Sequence, residues 1–152
     1  MDFSADLAAL IRSQRIAHLA TLRQGAPMAS MTLYLPETGF TAFHVHVSRL
    51  ALHTQDMARD ARVALSIAEA DDGRADPFTL KRVSIRGDAQ LLEGEQPELK
   101  RRWLARFPQQ AINFELADFS FWRILPRDAR FVAGFGRIRN LSAADLAACS
   151  KS

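Results

Sequence analysis

A chain of 152 residues, 48% of them apolar, is long enough for one domain with its own core, and ten Phe, two Trp and one Tyr supply bulky filling. Twenty Lys and Arg against seventeen Asp and Glu leave a net charge of +3, but the basic residues are scattered and no basic run reaches five, so a nucleic-acid stripe is not expected. No apolar stretch approaches the roughly 20 residues of a membrane span. The single Cys149 excludes an intrachain disulfide, and Met1-Asp-Phe-Ser-Ala-Asp lacks the features of a secretory signal, so the expected location is the cytoplasm.

Asp6 to Ser13 reads as a short helix with Leu7, Leu10 and Ile11 on one side and Ser4 as its cap. Ile16 to Arg23 and Pro27 to Leu35 read as strands joined by a Gln24-Gly25-Ala26 hairpin turn. Pro36-Glu37-Thr38-Gly39 is a second turn into a third strand, Phe40 to Val47, which would complete a three-stranded meander. From Ser48 to Arg59 the period becomes helical, with Ser48 as cap, and Val63 to Ala68 returns to strand. Asp71 to Pro77 is a polar surface loop. Arg82 to Leu92 alternates, with Val83, Ile85, Gly87, Ala89 and Leu91 on one face. Pro97 opens a helix carrying Leu99, Trp103 and Phe107 that Pro108 ends, and a shorter amphipathic piece follows through Ile112 and Leu116. Phe119 to Leu125 and Arg130 to Ala133 read as two strands joined by Pro126-Arg127-Asp128, and Ser142 with Asp145 marks the capping box of a last helix. Seven mostly sequential strands with a few helices, across residues 1–152 as one domain, predict a closed or nearly closed antiparallel barrel.

No P-loop, G-x-G-x-x-G, H-E-x-x-H or C-x-x-C occurs, and Cys149 has no base beside it in the sequence. His44 and His46 share one face of a strand, but no further metal-ligand residues cluster around them, and they read as barrel-wall histidines rather than a metal site. His18 reads as a core or interface histidine. The segment Ser48-Arg49-Leu-Ala-Leu-His53-Thr54 places a hydroxyl, a cation and free N–H groups at the start of a helix that follows a strand. Such starts attract phosphates. The spacing fits equally a helix capped by Ser48 with its other side chains in solvent.

The order of segments resembles the pyridoxamine-phosphate-oxidase-like FMN-binding split barrels, and within them the haem-utilisation branch. The resemblance runs from about Arg15 to Arg139. Its carriers are Ala-Thr-Leu-Arg-Gln-Gly-Ala-Pro (20–27), Val-Ser-Arg-Leu-Ala-Leu-His-Thr-Gln-Asp-Met (47–57) and Arg-Val-Ala-Leu (62–65), followed by Arg-Val-Ser-Ile-Arg-Gly-Asp-Ala (82–89), Arg-Ile-Leu-Pro (123–126) and Val-Ala-Gly-Phe-Gly (132–136). It implies a mainly β, α+β fold: a six- to seven-stranded antiparallel split barrel with FMN in a groove between the subunits of a homodimer.

The same resemblance assigns roles. Ser30, Met31, Thr32 and Leu33 would run beside the flavin and its phosphate arm, and His46, Val47, Leu52 and His53 match further cofactor-contacting positions. Ser48, Arg49, His53 and Thr54 would share the phosphate, Arg82 matches another polar cofactor position, and Val132 and Gly134 of the other subunit would close over the ring. The oxidases' Arg-Lys pair is replaced by Leu52-His53, and their C-terminal Arg-Leu-His-x-x-Arg by Phe135-Gly136-Arg137-Ile138-Arg139-Asn140, so pyridoxamine phosphate is not the expected substrate. The haem-degrading relatives' C-terminal histidine has no counterpart, since none follows His53; His44 or His46 would have to substitute. The chain offers no evident general acid or base. The expectation is an FMN-dependent, oxidoreductase-like homodimer acting on a small redox substrate. The alternatives are a non-enzymatic flavin or haem binder and a structural dimer with an eroded site.

Overall fold

The structure, a computed structural model, describes residues 2–152. Helix α1 (Phe3–Ser13) buries Leu7, Ala8, Leu10 and Ile11, and its cap is Asp2, which accepts from the Ser4 N–H, rather than Ser4. Strands β1 (Ile16–Arg23) and β2 (Ala26–Leu33) form a hairpin whose loop is the two residues Gln24 and Gly25, both at positive φ. That pairing is the primed turn that matches strand twist.

The strand order is β2-β1-β5-β6-β7-β4-β3, with β8 added beside β7. Here β3 is Leu35–Pro36, β4 Phe43–Ser48, β5 Arg62–Ala68, β6 Arg82–Leu91, β7 Phe119–Val132 and β8 Ile138–Ser142. The two ends of the order, β2 and β3, are separated in the chain by Tyr34 alone. The sheet therefore curls until its ends meet, which makes it a barrel of the expected split-barrel type. The expected three-strand meander is not formed: β4 pairs with β7 and β3, not with β2. The chain between β3 and β4 instead makes a turn in which buried Phe40 sits at φ 53°.

One reading near the C-terminus is corrected, and one strand there has no signal in the sequence. Pro126 does not divide a strand, since β7 is continuous for 14 residues. On one side of β7, β4 pairs with residues 119–124 and β8 with 128–132, so Pro126 stands in the gap between them; on the other side, the register with β6 shifts between Arg86 and Gly87. A proline is tolerated where the ladder is already interrupted. The strand without a sequence signal is β8, whose Arg139 and Asn140 are polar and exposed, so that no alternation marks it.

Inside the barrel Leu19, Phe43, Val45, Leu65, Ile67, Ile85, Ile124 and Phe131 form the main core. Outside it, α3 (Pro97–Arg106) and a 3-10 segment (Pro108–Glu115) lay Leu99, Trp103 and Phe107 over Phe121, with Leu33 and Leu35 packed beneath. Helix α4 (Ala143–Cys149) opens on the expected capping box of Ser142 and Asp145. A Cβ at Gly87 would stand 2.5 Å from the Leu125 carbonyl oxygen. Gly87→Ala is therefore expected to cost about 2–3 kcal/mol by forcing β6 and β7 apart, and an unchanged urea midpoint would show that the strands do not depend on that close approach.

Candidate functional site

Strand β4 splits the predicted site residues between two faces. Val45 and Val47 point into the core, whereas His44 and His46 point outward beneath α3 and the 3-10 segment. His46 stacks on Phe114 at 4.1 Å and packs against Phe119, Phe121 and Trp103. That burial pushes its pKa down to about 4. His44 is buried and faces Glu37, whose carboxylate also meets Arg102; burial lowers its pKa as well. Among the described residues no group of three or more His, Cys, Asp or Glu could hold a metal ion.

After β4 the chain turns at Ser48 to Ala51 before α2 (Leu52–Arg59) begins. Ser48 is not the helix cap. Its hydroxyl donates to Asp118 Oδ2 at 2.6 Å and accepts from the Leu50 N–H, while the Arg49 N–H donates to the Asp118 carbonyl. The cap position is Ala51, which has no side chain to offer, so the first N–H groups of α2 lack a side-chain acceptor. Helix α2 is held on the barrel by Asp56, 2% exposed, which accepts from Thr21 Oγ1 at 2.7 Å and pairs with Arg23 at 2.9 Å.

Between this helix and the barrel mouth lies a cavity of about 330 Å3 lined by Val47, Arg49, Thr54 and Gln55 and, from across the sheet, by Leu91, Ser120 and Trp122. Among the described residues Arg49 makes no ion pair. Thr54 Oγ1 and His53 Nε2 are buried without a hydrogen-bond partner. Burial lowers the His53 pKa, against the opposing pull of Asp56, but His53 is not among the residues that line the cavity, whose charged side chain is Arg49. An unpaired guanidinium and an unsatisfied buried hydroxyl at an uncapped helix start are what an anion would satisfy. Asp118, Ser120 and Leu91 have no signal in local spacing, because β6 and the start of β7 bring them there from far along the chain.

The other predicted residues lie elsewhere. On β2, Thr32 is buried and bonded to the Leu33 carbonyl, Leu33 packs against the outer cluster, Ser30 is partly covered, and Met31 is 61% exposed. Arg82, Val132 and Gly134 line a cavity of about 240 Å3 with Phe78 and Phe135. Arg82 is opposite Val132 in register, and its guanidinium donates to the Phe78 and Leu80 carbonyls. Nine residue steps along β6 separate Arg82 from Leu91 of the first cavity, roughly 30 Å at strand rise. Arg82 therefore cannot share an anion with Arg49 of the same chain.

The curled sheet, whose two ends are joined through Tyr34, defines a split-barrel protein. Residues 3–133 match the pyridoxamine 5'-phosphate oxidase family model, and the chain belongs to that family. It is 33% identical over 112 residues to the non-canonical heme oxygenase HOZ of Arabidopsis thaliana, a match covering 73% of this chain but a third of that protein's length. It is 25% identical over 144 residues to heme oxygenase HutZ of Vibrio cholerae, covering 89% of this chain and 78% of that protein. A heme binding protein from Mycobacterium smegmatis superposes with a TM-score of 0.85 at 28% identity, over 97% of this chain and 61% of its own. No helix among the described residues is long and apolar enough to cross a membrane.

His46 is the sharpest handle on pH. Its folded pKa lies below its unfolded value of 6.5, so between about pH 4 and 6.5 the unfolded chain binds the extra proton and stability falls as pH is lowered through that window. His44 and His53 act in the same direction. His46→Phe should remove up to about 3 kcal/mol of that loss. Equal pH dependence of the urea midpoint in H46F and the parent would disprove it.

Proposed function

We propose that this chain holds FMN between two copies of itself, with the phosphate in the cavity under α2. The observation that carries the reading is the unpaired Arg49 beside the unsatisfied Thr54 hydroxyl at the uncapped start of that helix. Arg49 would neutralise the phosphate, with Thr54 Oγ1 and the first N–H groups of α2 donating to it. The flavin, when bound, supplies one- or two-electron chemistry. The chain itself binds and orients: Leu91 and Trp122 wall the cavity against water, and no carboxylate or histidine lines it to move a proton. On this reading the protein is an oxidoreductase-like flavoprotein acting on a small redox substrate.

The second copy is supported by β2, which pairs in this chain with β1 alone and is exposed along most of its length. Met28, Met31 and Ile16 leave apolar surface there. An open apolar edge strand is a pairing surface. A partner docked on it would bring its own Arg82, Val132 and Gly134 as a set.

Haem is a second reading, favoured by the names of the relatives. The histidine open to a ligand is then His18, exposed on β1 opposite Met31, rather than buried His44 or His46, whose ring is packed among Phe114, Phe119 and Phe121. The visible spectrum of the protein loaded with either cofactor separates the two, through a flavin band or a Soret band.

Arg49→Ala combined with Thr54→Ala should weaken FMN binding about 100-fold while the dimer stays folded, as the loss of a charge-assisted contact and a hydrogen bond predicts. Unchanged FMN affinity would refute the phosphate assignment. Met31→Glu should shift the protein to monomer in sedimentation and release flavin with it; a monomer that keeps its flavin would refute the shared site.

A further inference from the structure

A cavity of about 550 Å3, larger than the one under α2, lies elsewhere on the barrel. It opens on the outer face of the barrel, between β4, β7 and the loop that links β6 to α3, and its volume is in the range of small-molecule sites. Its floor is aromatic: His46 stacked on Phe114 at 4.1 Å and 14°, with Phe119 5.4 Å away. His46 is neutral at pH 7, so the floor carries no charge. Gly94, at φ 76°, turns the linking loop and puts no side chain over the opening.

The rim is charged at both signs. Lys100, exposed at the start of α3, has its ammonium 5.0 Å from the Phe114 ring and no carboxylate partner. Glu93 and Glu95 on the linking loop line the same cavity and make no ion pair among the described residues. A flat ring set edge-to-face against the stacked Phe114–His46 pair would leave its substituents at this rim, within reach of a cation on one side and carboxylates on the other.

We infer that this cavity is a binding site for a flat aromatic zwitterion, an aromatic amino acid or a close analogue, with its ring against the edges of the stacked Phe114–His46 pair, its carboxylate toward Lys100 and its ammonium toward Glu93 and Glu95. The site shares Leu91 and Ser120 with the cavity under α2, so its ligand lies beside that pocket, but it does not depend on FMN being held there.

The test uses the full chain and three probes, L-tryptophan, tryptamine and indole-3-propionate, followed by saturation-transfer NMR and by amide shifts of residues 93–100. All three should bind saturably, with tryptophan about fivefold tighter than either singly charged probe, the size of an exposed ion pair. Lys100→Glu, a surface change that should not disturb folding, should weaken tryptophan and indole-3-propionate about fivefold or more and spare tryptamine. Glu93→Gln with Glu95→Gln should do the reverse to tryptamine. Arg49→Ala should change none of them. Absence of saturable binding, equal affinity of K100E and the parent for indole-3-propionate, or loss of binding in R49A would each overturn the proposal, the last by placing the indole under α2.

Discussion

The fold depends on one closure. The chain leaves one end of its own sheet at Leu33 and re-enters at the other end at Leu35, and the residue between them, Tyr34, is fully buried. Its hydroxyl donates to the Ile11 carbonyl at 2.7 Å at the end of α1, and its N–H donates to the Arg15 carbonyl. Alternation does the rest: Tyr34 enters the core while Leu33 and Leu35 turn outward to the α3 layer. One residue therefore fixes the barrel's curl, the seat of α1 and the underside of the outer layer. Burial raises the pKa of its hydroxyl against the neighbouring Arg106, so it stays a neutral donor.

The same period of two distributes function. On β4 the residues 45 and 47 must face the core, so 44 and 46 must face α3, and His46 cannot join Arg49 in a common pocket however close they lie in sequence. The two cavities they border are back to back across the sheet wall at Leu91 and Ser120. Burial of His46 among rings has a cost at low pH, and the aromatic packing of Phe114, Phe119 and Phe121 offsets it at neutral pH.

Much of this was readable from residue order. The Gln24-Gly25 turn, the alternation of 82–91, the proline-bounded α3 and the Ser142–Asp145 box are local devices, and local devices are visible locally. The barrel class followed from the number and order of strands. What failed was non-local. Pro126 reads as a breaker until β4 and β8 are known to flank it, and Ser48 reads as a cap until Asp118, seventy residues on, claims its hydroxyl. The polar strand β8 exists because β7 offers it an open edge, not because its own sequence alternates.

The division of the predicted cofactor residues follows from the same geometry. Arg49 and Thr54 sit at one end of β6, Arg82, Val132 and Gly134 at the other, and a strand of ten residues is rigid on the scale of a mononucleotide. No rearrangement short of unfolding the β6–β7 ladder brings these groups together within one chain. If both sets touch one ligand, they must come from different chains, and Arg82 must travel with Val132 and Gly134 rather than with Arg49. The exposed, singly paired β2 is a surface on which such a partner can dock without disturbing either barrel. Within one chain, a barrel too stiff to bend keeps the two sets apart.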